Sequence, residues 1–165
     1  MKSYNLRSFL YSYTPVILLF TSILNEIDFN NLGLKYFSFN FSYILIFYYS
    51  LKRSFSIGYI AIFIAGLIND VVVGIPMGVS SFTYLLLSAA SVYLRNITLR
   101  PSILKDWVFF LITILVLNFF TFSFLNLIFN YEIDFFNQVI NILCTFLLYP
   151  FFSYIFSFYD NYILR

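Results

Sequence analysis

Long uncharged stretches, broken by short clusters of charge and turn residues, run the length of the chain. An α-helix rises about 1.5 Å per residue, so about 20 apolar residues cross the hydrocarbon core of a bilayer. Six stretches approach that length: approximately Ser8 to Asn25, Tyr36 to Leu51, Ser54 to Val72, Met77 to Leu94, Trp107 to Asn130 and Phe135 to Tyr159. They predict an all-α, polytopic membrane helix bundle of about six transmembrane helices, forming one integral membrane domain over residues 1–165. The second stretch is the shortest, and Ser38, Asn40 and Ser42 interrupt its first half. It is expected to be tilted, packed inside the bundle, or partly interfacial. Pro15 and Pro150 fall inside the first and last helices, where each removes a backbone hydrogen bond and is expected to kink the helix. Lys2 and Arg7 precede the first stretch as they would in a signal peptide, but it is longer than the usual apolar region and no small-x-small site follows. It reads as a retained helix.

Charge placement supports the threading. Lys2 and Arg7, Lys52 and Arg53, Arg95, Arg100 and Lys105, and Arg165 all fall on one side of the six spans, leaving Lys35 on the other. By the positive-inside rule that side is cytoplasmic, so both termini are expected there. The opposite loops carry Glu26, Asp28, Glu132 and Asp134.

Composition narrows the function classes. Hydrophobic residues make up 62% of the chain and charged ones 10%, which a water-soluble domain of this size could not bury. The nine Lys and Arg nearly balance the seven Asp and Glu and form no basic stripe, so nucleic acid is not an expected partner. The lone Cys144 lies in an apolar run, and the chain contains no histidine. The commonest general base and metal ligand is therefore missing, and no paired intramembrane carboxylates, G-x-S-x-G or phosphate-binding loop replaces it. No catalytic residue, metal or cofactor is expected, nor any filter-like loop of a channel. The many Phe and Tyr carry little information by themselves.

One segment differs from the rest. Between Gly58 and Arg95 small residues recur at helical spacing, and an acid, Asp70, stands at the membrane-depth end of the third helix. Gly58, Gly66 and Asp70 share one helical face, with Ala61, Ala65 and Asn69 beside it. On the fourth helix Ser81, Leu85 and Ala89, flanked by Ser80, Tyr84 and Ser88, form a comparable small face. Such faces allow close helix packing in lipid, and the two helices are expected to form a hairpin around the tight connector containing Gly74, Pro76 and Gly78. An acid at a helix C-terminus opposes the helix dipole, so Asp70 needs a partner. A backbone donor of the Gly74 to Gly78 turn, an Asn or Tyr of another helix, or a group on another protein would serve. Asp70 is read as a conformational or partner-binding determinant, against the plainer reading of an acid that caps the turn. Asn118, Asn126, Asn137 and Asn141 are expected to bond across helices as structural glue.

The pattern G-L-x-x-D-x-x-x-G-x-P-x-G, carried by Gly66, Leu67, Asp70, Gly74, Pro76 and Gly78, resembles the most characteristic stretch of the rod shape-determining MreD family. The apolar helix that follows and ends in Tyr93, Leu94 and Arg95, and the basic Lys52 and Arg53 before the motif helix, agree with that resemblance. The family's usual prolines after the first helix and near the basic pair are absent. The resemblance implies a non-enzymatic subunit of the bacterial inner membrane, in the complex that directs lateral peptidoglycan synthesis. Its implied partners are an MreC-like bitopic protein, an MreB-like filament, and a wall glycosyltransferase and transpeptidase pair. The basic face of Lys52, Arg53, Arg95, Arg100 and Lys105 is expected to meet anionic lipid or the cytoplasmic filament. The alternative is a substrate-binding membrane subunit of a vitamin-type energy-coupling transporter, which needs a pocket of convergent polar groups. The candidates for such a pocket, Asn25, Asn31, Asn40 and Tyr131, are scattered in the sequence.

Overall fold

A computed structural model describes residues 6–24, 39–53, 57–98, 102–130 and 134–164, with side chains from residue 13 on the first helix and to residue 161 on the last. Six helices follow one another: α1 (Leu6–Leu24), α2 (Phe41–Lys52), α3 (Tyr59–Val73), α4 (Val79–Ile97), α5 (Ile103–Phe129) and α6 (Phe135–Leu164). No strand occurs among the described residues. Each helix falls on one of the six expected stretches. The largest shifts are a later start for α2 and α3 and a later end for α6.

α2 resolves the ambiguity of the second stretch. Asn40 is its N-cap: the Asn40 carboxamide oxygen accepts a hydrogen bond from the Tyr43 backbone N–H at 3.2 Å. The polar residue that looked like an interruption is thus a start signal. The helix has 12 residues, about 18 Å of rise against the ~30 Å hydrocarbon core, and cannot cross alone. Every residue from Ser42 to Leu51 is buried. α2 packs against α1, α4 and α6, so it is enclosed by the bundle instead of lying at an interface.

Aromatic rings make that enclosure possible. Phe47 sits 4.9 Å from the Phe110 ring and 5.7 Å from Tyr149, while Tyr48 and Tyr49 lie 5.3 and 5.5 Å from Phe156. Offset and edge-on rings at such spacings fill volume and add attraction beyond area burial. The two serines of α2 find hydroxyl partners on its neighbours, Ser42 with Ser22 of α1 and Ser50 with Ser88 of α4, both at 2.9 Å. Pro150 remains inside α6. Lacking an N–H, it leaves the Phe146 carbonyl without its helical donor, and the Trp107 indole N–H donates to that carbonyl at 2.9 Å. The same indole stacks on the Phe146 ring at 4.7 Å.

Polarity runs from inside to outside in the reverse of a water-soluble fold. Ser80, Ser81, Ser88, Ser91, Asp70 and Asp106 are buried, while Phe119, Phe120, Leu127, Phe151, Tyr154 and Phe158 are 60–81% exposed. α5 and the Phe135–Asn161 part of α6, each 27 residues, are long and apolar enough to cross a membrane. Only 22% and 17% of their most apolar windows are buried, so they are not core helices shielded by the rest of the chain.

Two sequence expectations change. Gly58 is exposed at the start of α3, where a Cβ would touch nothing, so it takes no part in close packing. On α4 Ser81 is buried as expected, together with Ser80, Tyr84, Leu87, Ser88 and Ser91, while Leu85 is half-buried and Ala89 exposed. Asn118 and Asn137 also bond differently. The Asn118 amide donates to Ile114 O of its own helix, Asn137 to Asp134, and Asn141 accepts from Thr145 one turn later. Asn126 is exposed. Hydroxyls carry bonds between helices instead, including Thr83 to Thr121 at 3.1 Å between α4 and α5.

Candidate functional site: the α3–α4 hairpin and the two ends of the bundle

The most extensive helix pairing in the chain joins α3 to α4, and the motif residues build it. Gly66 is buried with the backbone of Ser81 lying where its Cβ would be. No other residue type fits that approach. One side of the contact is tied by the Ser81 hydroxyl, which donates to Phe63 O at 3.0 Å. One turn further, the Asn69 amide donates to the Ser80 hydroxyl at 2.9 Å.

Asp70 closes the hairpin from both directions. Its backbone carbonyl accepts from Gly74 N–H at 2.9 Å and Ile75 N–H at 3.1 Å, which ends α3. Its carboxylate accepts from Gly78 N–H at 2.6 Å and Ser80 N–H at 2.7 Å, which starts α4. Gly78 as N-cap has no side chain to offer, so Asp70 supplies the missing acceptor from the neighbouring helix. The unfavourable end of the α3 dipole is offset by the favourable end of the α4 dipole, aimed at the same carboxylate. The turn between them needs left-handed backbone at Gly74, φ 75°, and Gly78, φ 101°. Pro76 supplies its rigid centre and accepts from Val79 N–H at 3.4 Å.

Of the partners considered for Asp70, the backbone of the turn is the one present. The residue is 0% exposed, so its carboxylate acts on the conformation of the hairpin and does not touch anything outside the bundle.

The expected basic face looks different in three dimensions. Lys52 pairs with Asp106 Oδ2 at 3.1 Å, and Arg53 with Asp160 Oδ1 at 3.1 Å. The Tyr48 hydroxyl donates to Asp160 Oδ2 at 3.4 Å. Two of the five basic residues therefore tie α2 to α5 and α6. Arg95 is half-buried and Lys105 exposed, while Arg100 lies outside the described residues, as do Glu26, Asp28, Lys35 and Glu132. Asp106 and Asp160 were not picked out from the sequence. Their signal was present, as the two acids on the otherwise basic side of the threading.

Breaking one of these pairs should cost more than deleting both. Arg53→Ala strands a buried carboxylate and is expected to destabilise the bundle by about 3 kcal/mol. Adding Asp160→Asn should recover much of that loss. Thermal unfolding of the single and double variants in detergent checks this, and a double variant no more stable than Arg53→Ala would refute it.

At the opposite end of the bundle, carboxamides converge. A cleft of about 530 Å³ is lined by Asn40, Asn69, Asn118, Asn137, Gln138 and Asn141, together with Tyr43 and Tyr84. Of the pocket candidates read from the sequence, Asn40 is in this cleft, and Asn25, Asn31 and Tyr131 lie outside the described residues. The other carboxamides were not read as one pocket because they come from three different helices. Their shared signal is position: each lies towards the same end of an alternating bundle, at the C-terminal end of α3, in the C-terminal half of α5, or in the N-terminal half of α6.

No protein-family model, curated protein or solved structure matches the chain.

Proposed function

We propose that the chain is a multi-pass protein of the bacterial inner (cytoplasmic) membrane with both termini in the cytoplasm. In this reading it is a non-enzymatic scaffold or regulatory subunit of the elongation complex that directs lateral peptidoglycan synthesis. The observation that carries the proposal is the α3–α4 hairpin. Gly66, Asp70, Gly74 and Gly78, the residues of the MreD-like pattern, serve one construction: close helix approach, a shared cap, and a left-handed turn. The resemblance thus concerns a built feature and not a run of small residues alone. The apolar exterior of α5 and α6 supports bilayer placement.

A rigid hairpin inside a small bundle gives a bitopic partner a fixed surface to dock on. The proposed partners are an MreC-like bitopic protein, an MreB-like filament and the wall glycosyltransferase and transpeptidase pair. The second reading, the substrate-binding membrane subunit of a vitamin-type energy-coupling transporter, is favoured by one observation, the polar cleft.

In-cell crosslinking, purification of the tagged chain and mass spectrometry separate the two. An MreC-like protein or a wall-synthesis enzyme among the products is the expected result; an energy-coupling membrane protein with ATPases would replace the scaffold with the transporter subunit. Topology is tested independently. Asn31→Cys should react with an impermeant thiol reagent added to spheroplasts and Ser102→Cys should not, and the reverse would invert the orientation.

A further inference from the structure

The polar cleft is not isolated. Beside it, between α4 and α5, an apolar groove of about 500 Å³ is walled by Met77, Phe82 and Leu86 on one side and Phe120, Phe124 and Phe129 on the other. Each volume lies within the ~300–1,000 Å³ typical of ligand pockets. Thr83 and Thr121 line both, and the bond between their hydroxyls marks the boundary where polar lining gives way to apolar. A polar compartment joined to an apolar one along a helix seam has the shape of an amphiphile.

The lining also specifies the polar half. Among the described residues of the cleft Asp134 is the one that carries a charge, and none is a Lys or Arg that would neutralise a phosphate. Carboxamides and hydroxyls offer donors and acceptors side by side, which suits the hydroxyl groups of a sugar. Gln138, half-buried in the wall, makes no side-chain hydrogen bond among the described residues, so its amide is available to a ligand. Tyr43 and Tyr84, packed edge to face at 5.8 Å, add an aromatic floor.

We infer that the joined cleft and groove bind a membrane lipid with a neutral, hydroxyl-rich headgroup, a glycolipid, its sugar among the carboxamides and a hydrocarbon chain against Phe82 and Phe120. The inference rests on the bilayer placement proposed above but not on the scaffold role. The lipid enters sideways from the bilayer past the exposed rim of the groove, where Met77 is 76% and Phe82 64% exposed.

The full chain, reconstituted in nanodiscs of phosphatidylglycerol with a minor fraction of glucosyl diacylglycerol, is extracted and the lipids retained are read by native mass spectrometry. Glucosyl diacylglycerol should be enriched over phosphatidylglycerol and over diacylglycerol of the same chains by about tenfold. Gln138→Ala, which removes a headgroup contact, and Phe82→Ala, which removes a chain contact, should each lower the enrichment severalfold. Phe151→Ala, exposed on α6, should not. Equal retention of phosphatidylglycerol overturns the headgroup assignment. Displacement by methyl glucoside at the same concentration overturns the lipid in favour of a free sugar. A chain that fails to enter nanodiscs overturns the bilayer placement and this inference with it, whereas a chain that enters without preferring the glycolipid overturns this inference alone.

Discussion

Asp70→Ala should unfold the α3–α4 hairpin at temperatures where the parent chain is intact. The substitution removes the acceptor for two N–H groups at the start of α4, those of Gly78 and Ser80. An orphaned buried N–H costs about 1–3 kcal/mol, so the pair removes several kcal/mol from a folding free energy of ~5–15 kcal/mol. Asp70→Asn keeps one carbonyl oxygen and turns an amide N–H towards the second backbone donor, so it should lose less than alanine and more than a surface change. Asp70→Glu should also fail to rescue, because the carboxylate is 0% exposed and an added methylene has no room. Thermal unfolding in detergent, with size-exclusion profiles at equal expression, reads all three. An alanine variant as stable as the parent would show that the caps are satisfied by something other than Asp70. If function depends on the hairpin, loss of activity should follow the stability order of the three variants. Activity lost by Asp70→Asn without loss of stability would point to a chemical role for the carboxylate.

Gly66→Ala carries the second large effect. A Cβ at this position overlaps the backbone N and Cα of Ser81 as well as its Oγ, and the backbone cannot swing aside, so α3 and α4 must separate to admit it. Overpacking of this kind costs about 1–3 kcal/mol, and valine in the same place should cost more. Ser81→Gly should not rescue either variant, because the two closest overlaps are with the N and Cα that glycine retains. Gly58→Ala provides the contrast: nothing lies within reach of its added Cβ, and it should be neutral. Unfolding midpoints of these variants test the set; equal midpoints for Gly66→Ala and Gly58→Ala would mean that the helix approach is looser than the geometry requires.

The two predictions concern the same few turns of helix, and those turns were the most legible part of the sequence. Small residues at helical spacing, a Gly-x-Pro-x-Gly connector and an acid at the wrong end of a dipole each declare a local need. Gly66 needs a close neighbour, Gly74 needs a left-handed backbone, and Asp70 needs a donor. What the sequence left open was who meets the need. The candidates for Asp70 ranged from the adjacent turn to another protein, and only the packing of α4 on α3 selects Gly78 and Ser80.

The same division holds for the rest of the chain. Six apolar stretches, their order and their approximate ends were determined by hydropathy along the chain, because helix formation and length depend on neighbouring residues. Asn40 could be seen as polar, yet its role as the N-cap of a short α2 depended on where the helix stops. That α2 is buried from Ser42 to Leu51, that Lys52 and Arg53 are held by Asp106 and Asp160, and that six carboxamides meet at one end were decided by tertiary structure. These partners lie on different helices, and one sequence carries no direct record of which faces turn towards each other. Helix existence is a local property that a pattern can state, whereas neighbourhood is a property of the packed bundle, fixed when rings, glycines and hydroxyls find the one arrangement that fills its interior.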